Sequence, residues 1–341
     1  MGVTLLAPHP SPAALLIPAL TELIPALMKA ADVPCASVAV IDAGRLLWAK
    51  AFGVKHAELR HPASMGTVFE AASLSKPVVA YAVLTLCDRG LLTLDTPLSD
   101  ILPQPYIPNE PRLRLINART VLSHSSGLQH WIHDEGENPA IHFEPGSRFS
   151  YSSLGYVYLQ QAIEHLTGEP LAATIQRVVL DPLGMTHSSF AWRADYDIDA
   201  ATGHDGDGKP VAKYKPEQAF APASLHTTPL DYARFMIAMM QPETQSIALR
   251  MLQPHITINE SVAWGLGWGL DFGAGHVAFW HWGDNGAFKA FCLGYPATGS
   301  GVVIMTNGFN GLRLAAPMVQ SIYGCHIPGS AAFKWIAEFY R

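Results

Sequence analysis

The sequence predicts an α+β fold in which one antiparallel sheet, flanked by N- and C-terminal helices, is split by an inserted, mostly helical domain. Three observations carry this. Strand-like patterning is confined to the two ends of the chain. The middle, from about Ser73 to Arg234, has helical periodicity and long loops. The 341 residues are 49% hydrophobic and 15% charged, enough apolar surface for a large core and too long a chain for one simple one. The expected boundaries are 1–78 and 245–341 for the discontinuous sheet domain and 79–244 for the helical insert, with a ligand cleft between them.

Taken in order, Ala13 to Ala31 has the apolar spacing of an amphipathic helix, its start blurred by Pro18 and Pro25. Ala36 to Ile41 and Leu46 to Phe52 are strands joined by the turn Asp42-Ala43-Gly44, a hairpin. Helices follow at Pro77 to Arg89, Gly155 to Leu166, Leu171 to Leu180 and Pro229 to Met240. Strands return at Val262 to Phe272, Val277 to Trp282, Ala290 to Tyr295 and Val302 to Thr306, each bounded by glycines or turn residues. Two helices, Leu312 to Tyr323 and Ala331 to Tyr340, close the pattern. No repeat of about 20–50 residues is present, which excludes solenoids and propellers.

Composition narrows the function. The net charge is -6 with 22 Lys plus Arg and no basic run, so nucleic acid is not an expected partner. The first cationic side chain is Lys29, and prolines at 8, 10, 12, 18 and 25 break the apolar stretch from Leu5 to Leu27. That stretch fits neither a secretory signal nor a membrane span, so a cytoplasmic protein without membrane contact is expected. Cys35, Cys87, Cys292 and Cys325 form no C-x-x-C pair and read as small buried hydrophobes. With 15 His and 8 Trp in a chain of few charges, polar chemistry near neutral pH falls largely to imidazole.

The segment Phe69-Glu70-Ala71-Ala72-Ser73-Leu74-Ser75-Lys76-Pro77 contains Ser-x-x-Lys, which sets a hydroxyl and an amine on one helix face, one turn apart. A serine hydroxyl is a weak nucleophile until a neighbour takes its proton. Alone, such a match is common on solvated helices. Here it is followed by Leu94-Asp95-Thr96-Pro97-Leu98, Val121-Leu122-Ser123-His124-Ser125-Ser126-Gly127-Leu128, Glu144 to Tyr156, Pro182-Leu183-Gly184-Met185, Gly203-His204, Ser224 to Phe235 and His281-Trp282-Gly283. In this order, from about Pro34 to Asn307, the chain resembles the serine β-lactamase-like family of class C β-lactamases, D-alanyl-D-alanine carboxypeptidases, D-aminopeptidases and related carboxylesterases.

The resemblance implies a β-lactamase/transpeptidase-like fold and a set of roles. Ser73 matches the acylated nucleophile, Lys76 its lysine, and Tyr151 the tyrosine that acts with that lysine as general base and later general acid. A phenol with an ordinary pKa of about 10 is ionised at neutral pH only beside a cation, here Lys76. His281-Trp282-Gly283 matches the strand lining the cleft, and the backbone N–H groups of Ser73 and Asp284 match the oxyanion hole. Ser153 stands where many members have asparagine, and a serine hydroxyl lacks that amide's reach. His281 stands where β-lactamases and carboxypeptidases have lysine, which weakens any fixed cation for a substrate carboxylate.

The expectation is therefore a serine hydrolase or acyltransferase acting on a small-molecule ester or small amide, with no metal or organic cofactor. The alternatives are a β-lactamase or D-amino-acid peptidase and, in another class, a non-catalytic binding protein that keeps the fold. His130, Trp131 and His133 are expected to line the cleft mouth. The run His130 to Glu135 with His142 also offers zinc-type ligands, although no His-Glu-x-x-His helix is present. Gly265-Leu266-Gly267-Trp268-Gly269 lacks the helix a dinucleotide loop needs, and no Gly-x-Ser-x-Gly elbow occurs. His124 is expected to bond within the helical lobe rather than to serve as a triad base. Nothing in the sequence sets an oligomeric state.

Overall fold

The computed structural model describes residues 12–132, 138–240, 245–273, 277–323 and 330–340. The strands are β1 (Cys35–Asp42), β2 (Arg45–His56), β3 (His61–Pro62), β4 (Phe69–Glu70), β5 (His226–Thr227), β6 (Ile256–Thr257), β7 (Val262–Trp264), β8 (Gly269–Asp271), β9 (Ala278–Asp284), β10 (Lys289–Tyr295) and β11 (Ser300–Thr306). Nine of them form one antiparallel sheet in the order β3-β2-β1-β11-β10-β9-β8-β7-β6, and β4 pairs with β5 in a separate ribbon. The early hairpin thus joins the late strands through β1 and β11, with Val38 opposite Ile304.

Both faces of the central strands are covered, which is why β1 is apolar at nearly every position rather than at alternate ones. Cys35, Ala39 and Ile41 face the larger core shared with the helical segments, and Ala36, Val38 and Val40 face the core under the terminal helices. The first helix, Pro12–Ala31, runs through Pro18 and Pro25. Its buried Leu20, Ile24 and Met28 lie one turn apart and pack on Met318, Val319 and Ile322 of the helix Ala315–Tyr323, burial that offsets the proline cost. No described helix is long and apolar enough to cross a membrane. Cys35, Cys87 and Cys292 are free thiols, and Cys325 lies outside the described residues.

The segment expected as one strand, Val262 to Phe272, is a tight hairpin of β7 and β8. Gly267 adopts φ +81° there, and a Cβ on it would lie 2.7 Å from that of Ala80. Its N–H donates to the Leu122 carbonyl (2.8 Å), so the hairpin tip docks against both the helix Ser75–Asp88 and the end of the helix Ala118–Leu122. The expected helix Leu171 to Leu180 changes hydrogen-bond pattern midway, from α over Leu171–Ile175 to π over Gln176–Leu180. The last helix, Ser330–Phe339, is tied to the sheet by the Ala332 N–H, which donates to the buried Asp271 carboxylate (3.1 Å). Its Phe333 stacks on Phe291 of β10 at 4.7 Å between centroids.

Candidate active site

Ser73 does not lie in the α-helix itself but in a 3₁₀ turn, Ala72–Leu74, that leads into Ser75–Asp88. In a 3₁₀ turn residues three apart eclipse one another, which brings the Lys76 side chain back over Ser73. The Lys76 amine donates to Ser73 Oγ (2.9 Å) and to the Pro222 carbonyl (3.0 Å). The turn is entered through Ala72 in the left-handed region, φ +50°, a conformation that strains a side chain with a Cβ. Ser75 Oγ donates to the Ala72 carbonyl (2.6 Å) and accepts from the Leu225 N–H (3.0 Å), bracing the turn against β5.

Tyr151 sits in a loop just before the helix Leu154–Thr167, and that loop is stitched along its length to Ser123–His130. The Ser150 N–H donates to the His124 carbonyl (2.8 Å), and those of Ser153 and Leu154 donate to the His130 carbonyl (3.2 and 3.3 Å). The Ser152 N–H donates to His124 Nδ1 (3.0 Å), so the ring proton of neutral His124 resides on Nε2. His124, at φ +55°, stacks on the phenol ring at 4.1 Å. It therefore bonds within this lobe and supports Tyr151 as a base plate. Burial, with the nearby Lys76 adding to it, holds its pKa well below the ordinary histidine value.

The phenol hydroxyl is turned toward Ser73 but closes no full hydrogen bond to it, a contact of the kind that tightens once substrate is bound. Lys76 Nζ lies over the Tyr151 ring, 4.9 Å from its centroid, and over that of Tyr156 at 5.6 Å. Burial lowers the Lys76 pKa far below its usual value, and burial raises that of Tyr151 in spite of Ser73. Burial thus pushes both groups toward their uncharged forms.

The third segment is β9. Gly283 presses on the segment leading into the Ser73 turn so closely that a Cβ there would meet the Ala71 carbonyl oxygen at 2.3 Å. His281 is fully buried, its ring 6.3 Å from that of Tyr151, and burial, reinforced by Lys76, pushes its pKa down to about 3. It is a neutral imidazole beneath the pair. The Trp282 ring stacks beside that of His281 at 5.4 Å between centroids and lies 5.1 Å from Tyr151 and 5.1 Å from Phe339 of the last helix.

His130 meets the edge of Tyr151 at 5.2 Å between ring centroids, and Trp131 stacks on Phe220 at 5.8 Å. Ser153 is fully buried, its hydroxyl without a hydrogen-bond partner. His133 lies outside the described residues, so the His130 to Glu135 run is only partly described. Among the described residues no group of three His, Cys, Asp or Glu side chains is disposed to hold a metal.

Several neighbours of the site had no local signal. The Pro222 carbonyl is one. Trp264, which touches His124 at 5.3 Å and Tyr151 at 6.0 Å, is another. The end of the last helix is a third: Phe339 packs 5.5 Å from Tyr151, while the Tyr340 hydroxyl accepts from Trp282 Nε1 (3.0 Å) and donates to Asp284 Oδ2 (2.8 Å). The other Asp284 oxygen pairs with Lys289, so neither charge is free for a ligand.

A family model described as Beta-lactamase matches residues 20–322. Esterase EstB of Burkholderia gladioli is 34% identical over 200 residues, which are 49% of this chain and 50% of EstB. Protein flp of Staphylococcus aureus is 24% identical over 305 residues, 82% of this chain and 60% of flp. The chain thus spans about half to three fifths of the length of these curated relatives. A solved structure, the β-lactamase/D-alanine carboxypeptidase from Pseudomonas syringae, superposes with a TM-score of 0.81 at 16% identity, covering 92% of this chain and 100% of that one. That likeness is one of fold.

Proposed function

The chain belongs to the Beta-lactamase family of serine hydrolases, and on that premise we propose that it forms an acyl-enzyme at Ser73 and releases the acyl group of an ester or small amide to water or to an acceptor alcohol or amine. The observation that carries the proposal is the 2.9 Å contact between Lys76 Nζ and Ser73 Oγ in a pocket whose burial lowers the amine's pKa well below its usual value. As Ser73 Oγ attacks the substrate carbonyl, its proton passes to the Lys76–Tyr151 pair. The pair becomes the cation that balances the tetrahedral oxyanion, so charge appears only in the transition state. The backbone N–H groups of Ser73 and Asp284 receive the oxyanion, and Tyr151 returns the proton to the leaving group as the intermediate collapses. Attack by water or an acceptor on the acyl-enzyme repeats these steps in reverse.

Two features support esters over carboxylate-bearing β-lactams and D-Ala peptides. His281 is buried and neutral where a fixed cation would be needed, and the Lys289 ammonium is already paired with Asp284. The likeness to EstB points the same way. The test is intact-mass labelling by a fluorophosphonate together with turnover of p-nitrophenyl acetate and a chromogenic cephalosporin, in wild type and Ser73→Ala. Labelling and ester turnover that both vanish in Ser73→Ala are expected. A variant that still labels would end the acyl-enzyme proposal, and faster turnover of the cephalosporin than of the ester would end the substrate preference.

A further inference from the structure

We propose that Glu70 is a positioning residue for the oxyanion hole, clamping the strand that delivers Ser73 to the turn that delivers Asp284. The inference rests on the acyl-enzyme reading and adds to it a residue that performs no chemistry itself. Glu70 is the last residue of β4, three positions before the nucleophile, and is almost completely buried. Its Oε2 accepts from Asn285 Nδ2 at 2.8 Å. Asn285 directly follows Asp284 and opens the tight turn between β9 and β10, where its N–H donates to the Phe288 carbonyl (3.1 Å). The two proposed oxyanion donors, Ser73 and Asp284, thus come from separate segments, and the Glu70 to Asn285 bond crosses between them.

The contact at Gly283 keeps the two segments from approaching further, because Ala71 already fills the space. Packing sets the inner limit, and the side-chain bond holds the segments against separating. An oxyanion hole needs both limits, since its donors act only when aimed at the oxygen of the tetrahedral intermediate.

A buried carboxylate is an unusual choice for a tether. Burial outweighs the bonds from Asn285 and the Tyr214 backbone and pushes the Glu70 pKa up to about 7. The titratable groups around it do not offset this. His226, opposite across the β4–β5 pair, is neutral because burial lowers its pKa to about 4; Tyr214 is an un-ionised phenol; and Asp284 and Lys289 neutralise each other. An ionised Glu70 accepts a stronger bond from Asn285 than a protonated one, so the clamp tightens as pH rises through neutrality.

The experiment measures kcat and KM for p-nitrophenyl acetate, and the rate of Ser73 phosphonylation by intact mass, across about pH 5 to 9 for wild type, Glu70→Gln, Asn285→Ala and the double variant. The expected result is a fall of about tenfold in kcat for each single variant with KM within about twofold, and a double variant no worse than either single one. Glu70→Gln also loses the limb of the pH profile near neutrality. Additive losses, a neutral limb that survives in Glu70→Gln, or unchanged kcat would overturn the clamp. Wild type that leaves Ser73 unlabelled overturns the acyl-enzyme reading itself, and the clamp with it.

Discussion

Gly283→Ala tests the packing at the heart of the site. The added Cβ would lie 2.3 Å from the Ala71 carbonyl oxygen and 3.2 Å from both the Ala71 carbonyl carbon and Ala72 Cβ. Ordinary contact lies near 3.5 Å, so β9 and the nucleophile turn must part by roughly 1 Å. All the crowding atoms are backbone or a methyl on a strained residue, so no flexible side chain can move aside. Over-packing of this kind costs about 1–3 kcal/mol of stability. The chemical cost is larger, because a misplacement of about 1 Å between reacting groups loses on the order of 10²-fold in rate. The assay is kcat for p-nitrophenyl acetate beside the thermal midpoint, with Gly66→Ala as control, since a Cβ there meets only Ser64 Oγ at 3.7 Å. A Gly283→Ala protein with native midpoint and kcat within about threefold of wild type would refute the argument that rate depends on this contact.

His124→Ala removes the acceptor for the Ser152 N–H and the surface under Tyr151; a loss of roughly 2–5 kcal/mol by urea unfolding and a lower kcat are expected. His124→Asn keeps an acceptor and tolerates the left-handed backbone, and should recover part of both. A second prediction concerns Glu70 and stability. Its folded pKa of about 7 exceeds the model-compound value of 4.5, so the native state holds the extra proton between them and stability falls as pH rises through that window, by on the order of 3 kcal/mol in all. Glu70→Gln should flatten this decline, read as a smaller drop in thermal midpoint from pH 5 to about 8. It would then be the steadier protein above neutrality while being the slower catalyst. An equal drop in both proteins would count against the burial argument.

Local chemistry was legible where the interaction is local. The three-residue spacing of Ser73 and Lys76 announces their contact, because any helical turn brings such residues together. Strands β10 and β11 were readable for a similar reason: their apolar runs end at turn residues. What escaped notice depends on partners distant in sequence. The Val262 to Phe272 segment reads as one strand until Gly267 is seen to dock against Ala80. The downward shift of Lys76 and the upward shift of Tyr151 follow from burial, which no motif encodes. His281 and Trp282 are adjacent in sequence, and their rings stack at 5.4 Å beside Tyr151, a contact that pattern alternation alone does not suggest. Glu70 stood beside the motif, but its partner is Asn285.

The contacts of Phe339 and Tyr340 bear on how the protein becomes active during synthesis. Tyr151 lies midway along the chain, yet one of its aromatic neighbours comes from the last described helix, and β1 gains its second sheet partner only when β11 has been made. A ribosome releases the chain N-terminus first. Ser73, Lys76 and Tyr151 are therefore all synthesised well before the sheet and the final helix can dock around them. On the proposed mechanism, a nascent chain holding these residues without β9 lacks the Asp284 donor, so Ser73 would do no chemistry until the rest of the sheet has been built.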